Sequence, residues 1–222
     1  MDPQLKITGD GSHTLWLPHI DETYHSTHGA IQESQYVFLK QGLSYQIQRA
    51  SLTQASILEI GFGTGLNAWL TAIFATENKV PIFYTSLEPF PLSVEVIQQL
   101  NYTESFEAYK QLFYELHQGT WEQSLEISPQ FTLHKALQKI EQWSDEHLYD
   151  VVYFDAFAPS KQPEIWSKVV LNRLHGFLKP NGILVTYCAQ GKFKRTLLEC
   201  GFQVESLPGP PGKKEMTRGL KT

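Results

Sequence analysis

An α/β fold, with a mostly parallel sheet covered by helices on both faces, is predicted by three features of this 222-residue sequence. From residue 56 onward, short apolar runs alternate with stretches of helical periodicity. The runs are nearly continuously apolar, as strands buried on both faces must be. The first run passes through a glycine turn into a helical stretch, the connection from which parallel sheets are built.

Residues 56–60 read as the first strand of this series and 66–76 as the helix after it. Strand 82–87 follows, then helical sequence over 92–117 with a break near Asn101. A weak strand at 131–133 precedes a helix over 136–143. Residues 151–154 are four β-favouring residues that stop at Asp155. Pro163 opens a helix ending near Leu174, because the first helical turn has no use for the missing N–H. Lys179-Pro-Asn-Gly182 turns into strand 183–187, and helix 192–200 with strand 202–207 closes the series. Ahead of it, runs at 5–8 and 13–17 flank Gly9-Asp-Gly-Ser12, a hairpin signature because glycine tolerates positive φ. Polar, histidine-bearing sequence then leads to an amphipathic stretch at 36–50. The expected organisation is an N-terminal β extension with a lead-in helix, 1–50, and a sheet-and-helix domain, 51–222, in one globular unit.

Composition narrows the function classes. With 41% hydrophobic and 18% charged residues, the chain can bury a core and is not composed like a disordered protein. The longest uncharged run, 60–76, holds three glycines, threonine and asparagine, a poor membrane span. The first ten residues carry Asp2 and Asp10 and no apolar run, which argues against a secretory signal and makes the cytoplasm the expected compartment. Cys188 and Cys200 provide no disulfide framework and too few thiols for a zinc site. His13, His19, His25 and His28 do not follow a metal-ligand spacing, so they read as polar loop residues and no metal is expected. Charge is asymmetric. Residues 1–178 hold 10 Lys/Arg against 20 Asp/Glu, whereas 179–222 hold 8 against 3. A basic end on an acidic body suits a polyanionic partner, or is simply a solvated surface.

Ligands of such sheets bind at the carboxyl ends of the strands. The first strand ends in Glu59-Ile-Gly-Phe-Gly-Thr-Gly-Leu-Asn67, where Gly61, Gly63 and Gly65 let the backbone turn and approach a ligand. A dinucleotide fingerprint needs a small residue at position 66, and here it is leucine. The G-x-G-x-G spacing after an acid fits S-adenosylmethionine better than NAD, because that cofactor has an ammonium for carboxylates to pair with and no pyrophosphate. Glu88 closes the second strand, where an acid can accept hydrogen bonds from ribose hydroxyls. Asp155 closes the fourth, a position where an acid is costly to desolvate unless it works there or caps a helix. Phe157 and Trp166 have faces on which a base could stack, or they pack in the core. Gly209-Pro-Pro-Gly-Lys-Lys214 is a rigid turn whose Lys213 and Lys214 suit a phosphate backbone.

Together these stretches, with Tyr36-Val-Phe-Leu39, Ser86-Leu-Glu88, Tyr153-Phe-Asp-Ala-Phe-Ala-Pro159, Gln162-Pro-Glu-Ile-Trp166 and the 209–216 loop, resemble the MnmC/MnmD family of tRNA-modifying methyltransferases. The resemblance implies a Rossmann-like class I S-adenosylmethionine-dependent fold and methylation of the 5-aminomethyl group of wobble (2-thio)uridine in tRNA. It implies Glu59, Gly61, Phe62, Gly63, Gly65 and Asn67 as cofactor-loop positions, Glu88 as the ribose acid and Asp155 as the active-site acid. Phe157, Lys213 and Lys214 become candidates for contact with the anticodon region. Relatives often carry Gly-Asp after the third strand to face the adenine amino group, where this chain reads Leu133-His-Lys-Ala136. The length matches the stand-alone MnmD form without a flavin oxidase domain, so a separate enzyme is expected to supply the aminomethyl substrate. Three other readings stand beside this one: transfer to another amine on RNA or a small molecule, a non-catalytic RNA-binding protein on the same scaffold, and an NAD-dependent oxidoreductase. The intact acids and glycines speak against the second and Leu66 against the third. Asp155-Ala-Phe-Ala-Pro159 differs from the Asp-Pro-Pro-Tyr type associated with exocyclic base amines, which favours an alkyl amine.

Overall fold

Eight strands form one sheet in the computed structural model, which describes residues 3–222. Asp2, used above in reading the N-terminus, lies outside the described residues. A hairpin of β1 (Gln4–Ile7) and β2 (His13–Leu17), joined by β3 (Glu22–Thr23), makes a separate three-stranded antiparallel sheet. Helical backbone runs from residue 30 to 50 as α1 (Ala30–Ser34), a π-helical segment (Gln35–Ser44) and α2 (Tyr45–Ala50). It begins earlier than the amphipathic stretch at 36–50 indicated. The buried residues of its middle are Val37, Phe38, Gly42 and Leu43, a spacing of five that suits i→i+5 winding.

The main sheet runs in the order β10 (Phe202–Pro208), β11 (Glu215–Lys221), β9 (Leu178–Thr186), β8 (Tyr149–Phe154), β4 (Ala55–Ile60), β5 (Ile82–Leu87), β7 (Phe131–Ala136) and β6 (Ser124–Ser128). Its parallel centre is β9, β8, β4, β5 and β7. The chain leaves β4 toward β5 and later returns to its other side as β8, so the order reverses between β4 and β8. That reversal opens a crevice at the strand ends. Helices α3 (Leu66–Asn78), α4 (Val94–Ile97), α5 (Lys110–Gln118), α6 (Lys168–Phe177) and α7 (Gly191–Glu199) complete the layers. Two buried apolar clusters lie on opposite faces of the sheet. Ile57, Tyr84, Leu133 and Val151 pack with α3, α5 and the π segment, and Leu58, Val152 and Leu184 pack with α6 and α7. Every residue of β8 is buried, which accounts for its unbroken run of apolar and aromatic residues after Asp150.

Several expectations are corrected. The third parallel strand runs on through Ala136, and residues 137–143 are loop and turn instead of a helix. Arg173 holds that loop by donating to the carbonyls of Ile140 and Trp143. Pro163 opens only a 3-10 turn, Pro163–Trp166, and α6 starts separately with the Ser167 hydroxyl accepting from the Val170 amide. The 179–182 turn is absorbed into β9, with Asn181 at φ 63. Besides the two-residue β3, two strands of the main sheet escaped the sequence reading: β6 (Ser124–Ser128), an antiparallel edge, and β11 (Glu215–Lys221), inserted antiparallel between β9 and β10 (Phe202–Pro208). Arg218 disguises β11, yet it is buried there because Glu205 accepts its Nε–H at 2.7 Å and Tyr45 stacks on it at 3.3 Å.

Among the described residues, no helix is long and apolar enough to cross a membrane.

Candidate active site

The site is assembled at the ends of three neighbouring strands. Beyond β4 the backbone enters the glycine turn; the Gly61 amide donates to the Leu87 carbonyl of β5, and the Asp155 amide to the Ile60 carbonyl. Ladder bonds therefore carry on past the strands and hold Gly61, Glu88 and Asp155 side by side. Gly61 has φ +94, and a Cβ there would come within 2.9 Å of the Asp155 carbonyl oxygen. Gly63 at φ +51 faces the Tyr24 ring, 3.0 Å from where its Cβ would stand. Both positions need glycine for conformation and for space.

The carboxylates have defined partners. Glu88 accepts from the Gly63 amide at 3.1 Å and the Phe90 amide at 2.9 Å, so it clamps the glycine turn as well as facing the cavity. Asp155 accepts from Asn67 Nδ2 at 2.8 Å. Its pKa is pushed up to about 7, first by burial and then by the charge of Glu33, against lowering by Asn67 and Lys213. Glu59 is fully buried, accepts from the Ser86 hydroxyl at 2.6 Å, and is pushed up to about 8 by burial. Phe62 is buried and stacks edge-on against His117 and Trp121.

A cavity of about 800 Å³ runs from Glu88 and the 138–141 loop, past the glycine turn, to Asp155. The extension closes its far end, contributing Tyr24, His25, His28 and Glu33. Composition and spacing mark neither Tyr24 nor Glu33, and make His25 and His28 polar loop residues. His25 is buried, and its Nε2 bonds the Thr64 hydroxyl of the glycine turn at 2.7 Å, so it is no polar loop histidine. Burial lowers its pKa to about 4, keeping the ring neutral. Phe157 lines the cavity edge-to-face with Tyr24, at 5.2 Å, whereas Trp166 is buried and donates to the Phe157 carbonyl at 2.8 Å. Trp166 is thus a core residue that holds Phe157 in place.

At the third strand, Lys135 occupies the neighbourhood where an acid was sought. It is buried, donates to the carbonyls of Leu116 and His117 at 2.7 and 3.2 Å, and its ammonium sits over Trp121. The polar side chains that reach the cavity after β7 include Gln138 and Glu141. The basic C-terminal turn is split: Lys214 is exposed, but Lys213 turns inward and bonds Glu33 at 2.6 Å. The 209–214 loop folds back onto the extension, with Gly212 against the His28 ring, and this turns Lys213 toward Glu33 with its side chain half-buried.

These residues fit S-adenosylmethionine. The cavity joins Glu88 at one end of the glycine turn to Asp155 at the other, and both acids offer acceptors to hydroxyls or to a positive charge. Among the described residues, the buried Oδ1 of Asn67, which lines the cavity, has no hydrogen-bond partner and is available to a polar group there.

The strand order, with an antiparallel β11 inserted beside the edge, and the glycine turn flanked by acids define a class I S-adenosylmethionine-dependent methyltransferase. The family model of S-adenosyl-L-methionine-dependent methyltransferases matches residues 100–222, and the chain belongs to that family. It is similar to the tRNA 5-methylaminomethyl-2-thiouridine biosynthesis bifunctional protein MnmC of Pseudoalteromonas atlantica, 30% identical over 97% of this chain and 33% of that protein. MnmC of Cupriavidus necator is 32% identical over 91% of this chain and 32% of its own length. This chain therefore spans about a third of the curated relatives it matches. The crystal structure of MnmC2 from Aquifex aeolicus superposes with a TM-score of 0.81 at 26% identity, covering 98% of this chain and 69% of that one.

Proposed function

We propose that this chain transfers a methyl group from S-adenosylmethionine to the amino nitrogen of a 5-aminomethyl(-2-thio)uridine at the wobble position of tRNA. The observation that carries the reading is Asp155, a carboxylate held by Asn67 in the cavity that the glycine turn and Glu88 also line. The names of the similar MnmC proteins supply the substrate.

When bound, S-adenosylmethionine supplies a methyl group on a sulfonium, whose sulfur departs as a thioether. Glu88 takes the ribose hydroxyls, with the oxygen lone pairs left over from the Gly63 and Phe90 amides. Gly61 and Gly63 bring backbone to the aminoacyl end and Asn67 shapes its floor, while Gly65 and the buried Glu59 hold the turn from behind. Gln138 and Glu141 are the groups available to the adenine amino group, in place of the missing acid. An alkyl amine is mostly protonated near neutral pH and cannot attack in that form. Asp155 receives the acceptor ammonium, aligns it and takes its proton, directly or through a water. Phe157 and Tyr24 offer ring faces to the splayed uridine base. Another enzyme places the aminomethyl group, and we read the cytoplasm as the compartment where tRNA and protein meet.

The test is methyl transfer from labelled cofactor to tRNA bearing 5-aminomethyl-2-thiouridine. Asp155→Ala should lose about 10²–10⁴-fold in turnover while cofactor affinity stays within a few-fold. Near-normal turnover by that variant contradicts the role.

A further inference from the structure

By sequence, Lys213 and Lys214 of the basic turn both suit a phosphate backbone. The surroundings of Lys213 assign it elsewhere. Its ammonium is 2.6 Å from Glu33 Oε1 and 3.9 Å from the centroid of the Tyr187 ring. Glu33 is itself only 5% exposed, and its second oxygen accepts from the Ser26 amide at 2.9 Å. Tyr187, just after β9, donates its hydroxyl to the carbonyl of Ala156, the neighbour of Asp155, at 2.8 Å. A carboxylate and an aromatic face together fix a cation in place. Glu33, Tyr187 and Lys213 all line the cavity that contains Asp155.

The charges around that end come from several elements. Glu33 arrives from α1, Glu22 from β3, Glu59 from β4, Tyr84 from β5, Tyr187 and Cys188 from the end of β9, and His25 and His28 from the extension. Burial holds the Tyr84 and Tyr187 phenols neutral, keeps His25 unprotonated and keeps Glu59 protonated up to about pH 8. Of the charged groups there, Glu33 and Lys213 pair with each other beside Asp155. Two carboxylates alone would stabilise an alkylammonium in its charged, unreactive form.

We propose that Lys213 is the positioning residue that makes the acceptor nitrogen reactive: fixed by Glu33 and Tyr187 in the cavity that holds Asp155, its ammonium lowers the proton affinity of the incoming alkylammonium and keeps Asp155 ionised to receive that proton. The step moves one proton; the ammonium becomes a neutral amine and the Asp155 carboxylate a carboxylic acid. Glu33 raises and Lys213 lowers the proton affinity of Asp155, so both act on the acceptor of that proton. The proposal rests on the amine reading above.

The experiment pairs the carboxyl-carbon titration of Asp155, followed by nuclear magnetic resonance, with the pH profile of transfer to aminomethyl tRNA. In Lys213→Met, the Asp155 titration and the acid limb of turnover should both move up by on the order of one pH unit. Lys213→Arg should restore both. Glu33→Gln should move the Asp155 titration down, opposite in sign. A residue serving only to pack the loop would lower turnover equally at every pH and leave the titration in place. Should Lys213→Met fail to fold, Lys213→Gln carries the same expectation. An unmoved Asp155 titration, or shifts of one sign in both variants, overturns the role of Lys213 while transfer by the unaltered chain still supports the amine reading. No transfer by the unaltered chain overturns the amine reading and this proposal with it.

Discussion

Asp155 shows how burial and function meet in one side chain. Held by Asn67 and pushed up to about 7, it can accept a proton in the proposed role only above that pH. The raised value fixes the sign: below it the carboxyl is protonated and cannot take the acceptor's proton, so turnover should rise with pH through about 7. A rate flat between about pH 5 and about pH 8 contradicts the assignment. Sequence made Asp155 legible because it ends a run of buried strand residues, a position that desolvation makes conspicuous. Glu33, His25 and Tyr24 were not legible. They sit in the extension, far along the chain from the glycine turn, and only folding brings them to the cavity. Nothing local distinguishes Glu33 from the other acids of the sequence; its meaning lies in Lys213, 180 residues away.

Elements were read best where local pattern and tertiary setting agree. β4, β5 and β8 are apolar because both sheet faces are covered, and their limits came within two residues of the structure. β11 failed for the opposite reason. It carries Arg218 and Gly219, which argue against a central strand, yet Arg218 is neutralised by Glu205 and Gly219 leaves room for the Phe202 ring, 2.9 Å from where a Cβ would stand. The 137–143 loop has helical periodicity but is held by Arg173 in another conformation, a case of tertiary contacts overriding local preference. The glycine turn is the element whose geometry makes the sharpest prediction. Gly61→Ala should cost about 1–2 kcal/mol for positive φ alone, with more from the contact at the Asp155 carbonyl, and should weaken cofactor binding. Chemical denaturation and cofactor titration check both effects. Unchanged stability and affinity would mean the turn is not held as described.

Across the whole molecule, the charge asymmetry seen in the sequence is largely consumed inside the fold. Lys179 pairs with Asp150, Lys194 with Glu215, Lys213 with Glu33 and Arg218 with Glu205, while Lys221 donates to the carbonyls of His175 and Leu178. Of the eight basic residues after 178, Lys192, Arg195 and Lys214 remain exposed without an ion pair among the described residues. Reversing those three charges should weaken tRNA binding and flatten its salt dependence, by about one unit of slope for each phosphate no longer neutralised. Unaltered affinity across a salt series would mean that tRNA does not meet this surface. Buried acids set a second global property. Glu59 and Asp155 have folded-state pKa values raised above their ordinary values of 4.5 and 3.8. Their stabilising contribution is complete below those ordinary values and is lost as pH rises through about 7 for Asp155 and about 8 for Glu59. Stability should fall over that window, by at most about 1.4 kcal/mol per pH unit for each group. Glu59→Gln, which keeps an acceptor for Ser86, should flatten the upper part of the decline in denaturation midpoints. An equally steep decline in the variant would mean that Glu59 is ionised throughout.

All of these roles converge on the event proposed above, the arrival of a cofactor methyl group at the aminomethyl nitrogen of a tRNA wobble uridine inside a single cavity. Nucleoside-resolved mass analysis detects that event itself, after the protein is incubated with S-adenosylmethionine and tRNA carrying 5-aminomethyl-2-thiouridine, with unmodified tRNA alongside. The expected outcome is a gain of one methyl group on that nucleoside alone and none in the unmodified tRNA. Cofactor binding with no methyl on that nucleoside, or methyl on other nucleosides of both tRNAs, would refute it.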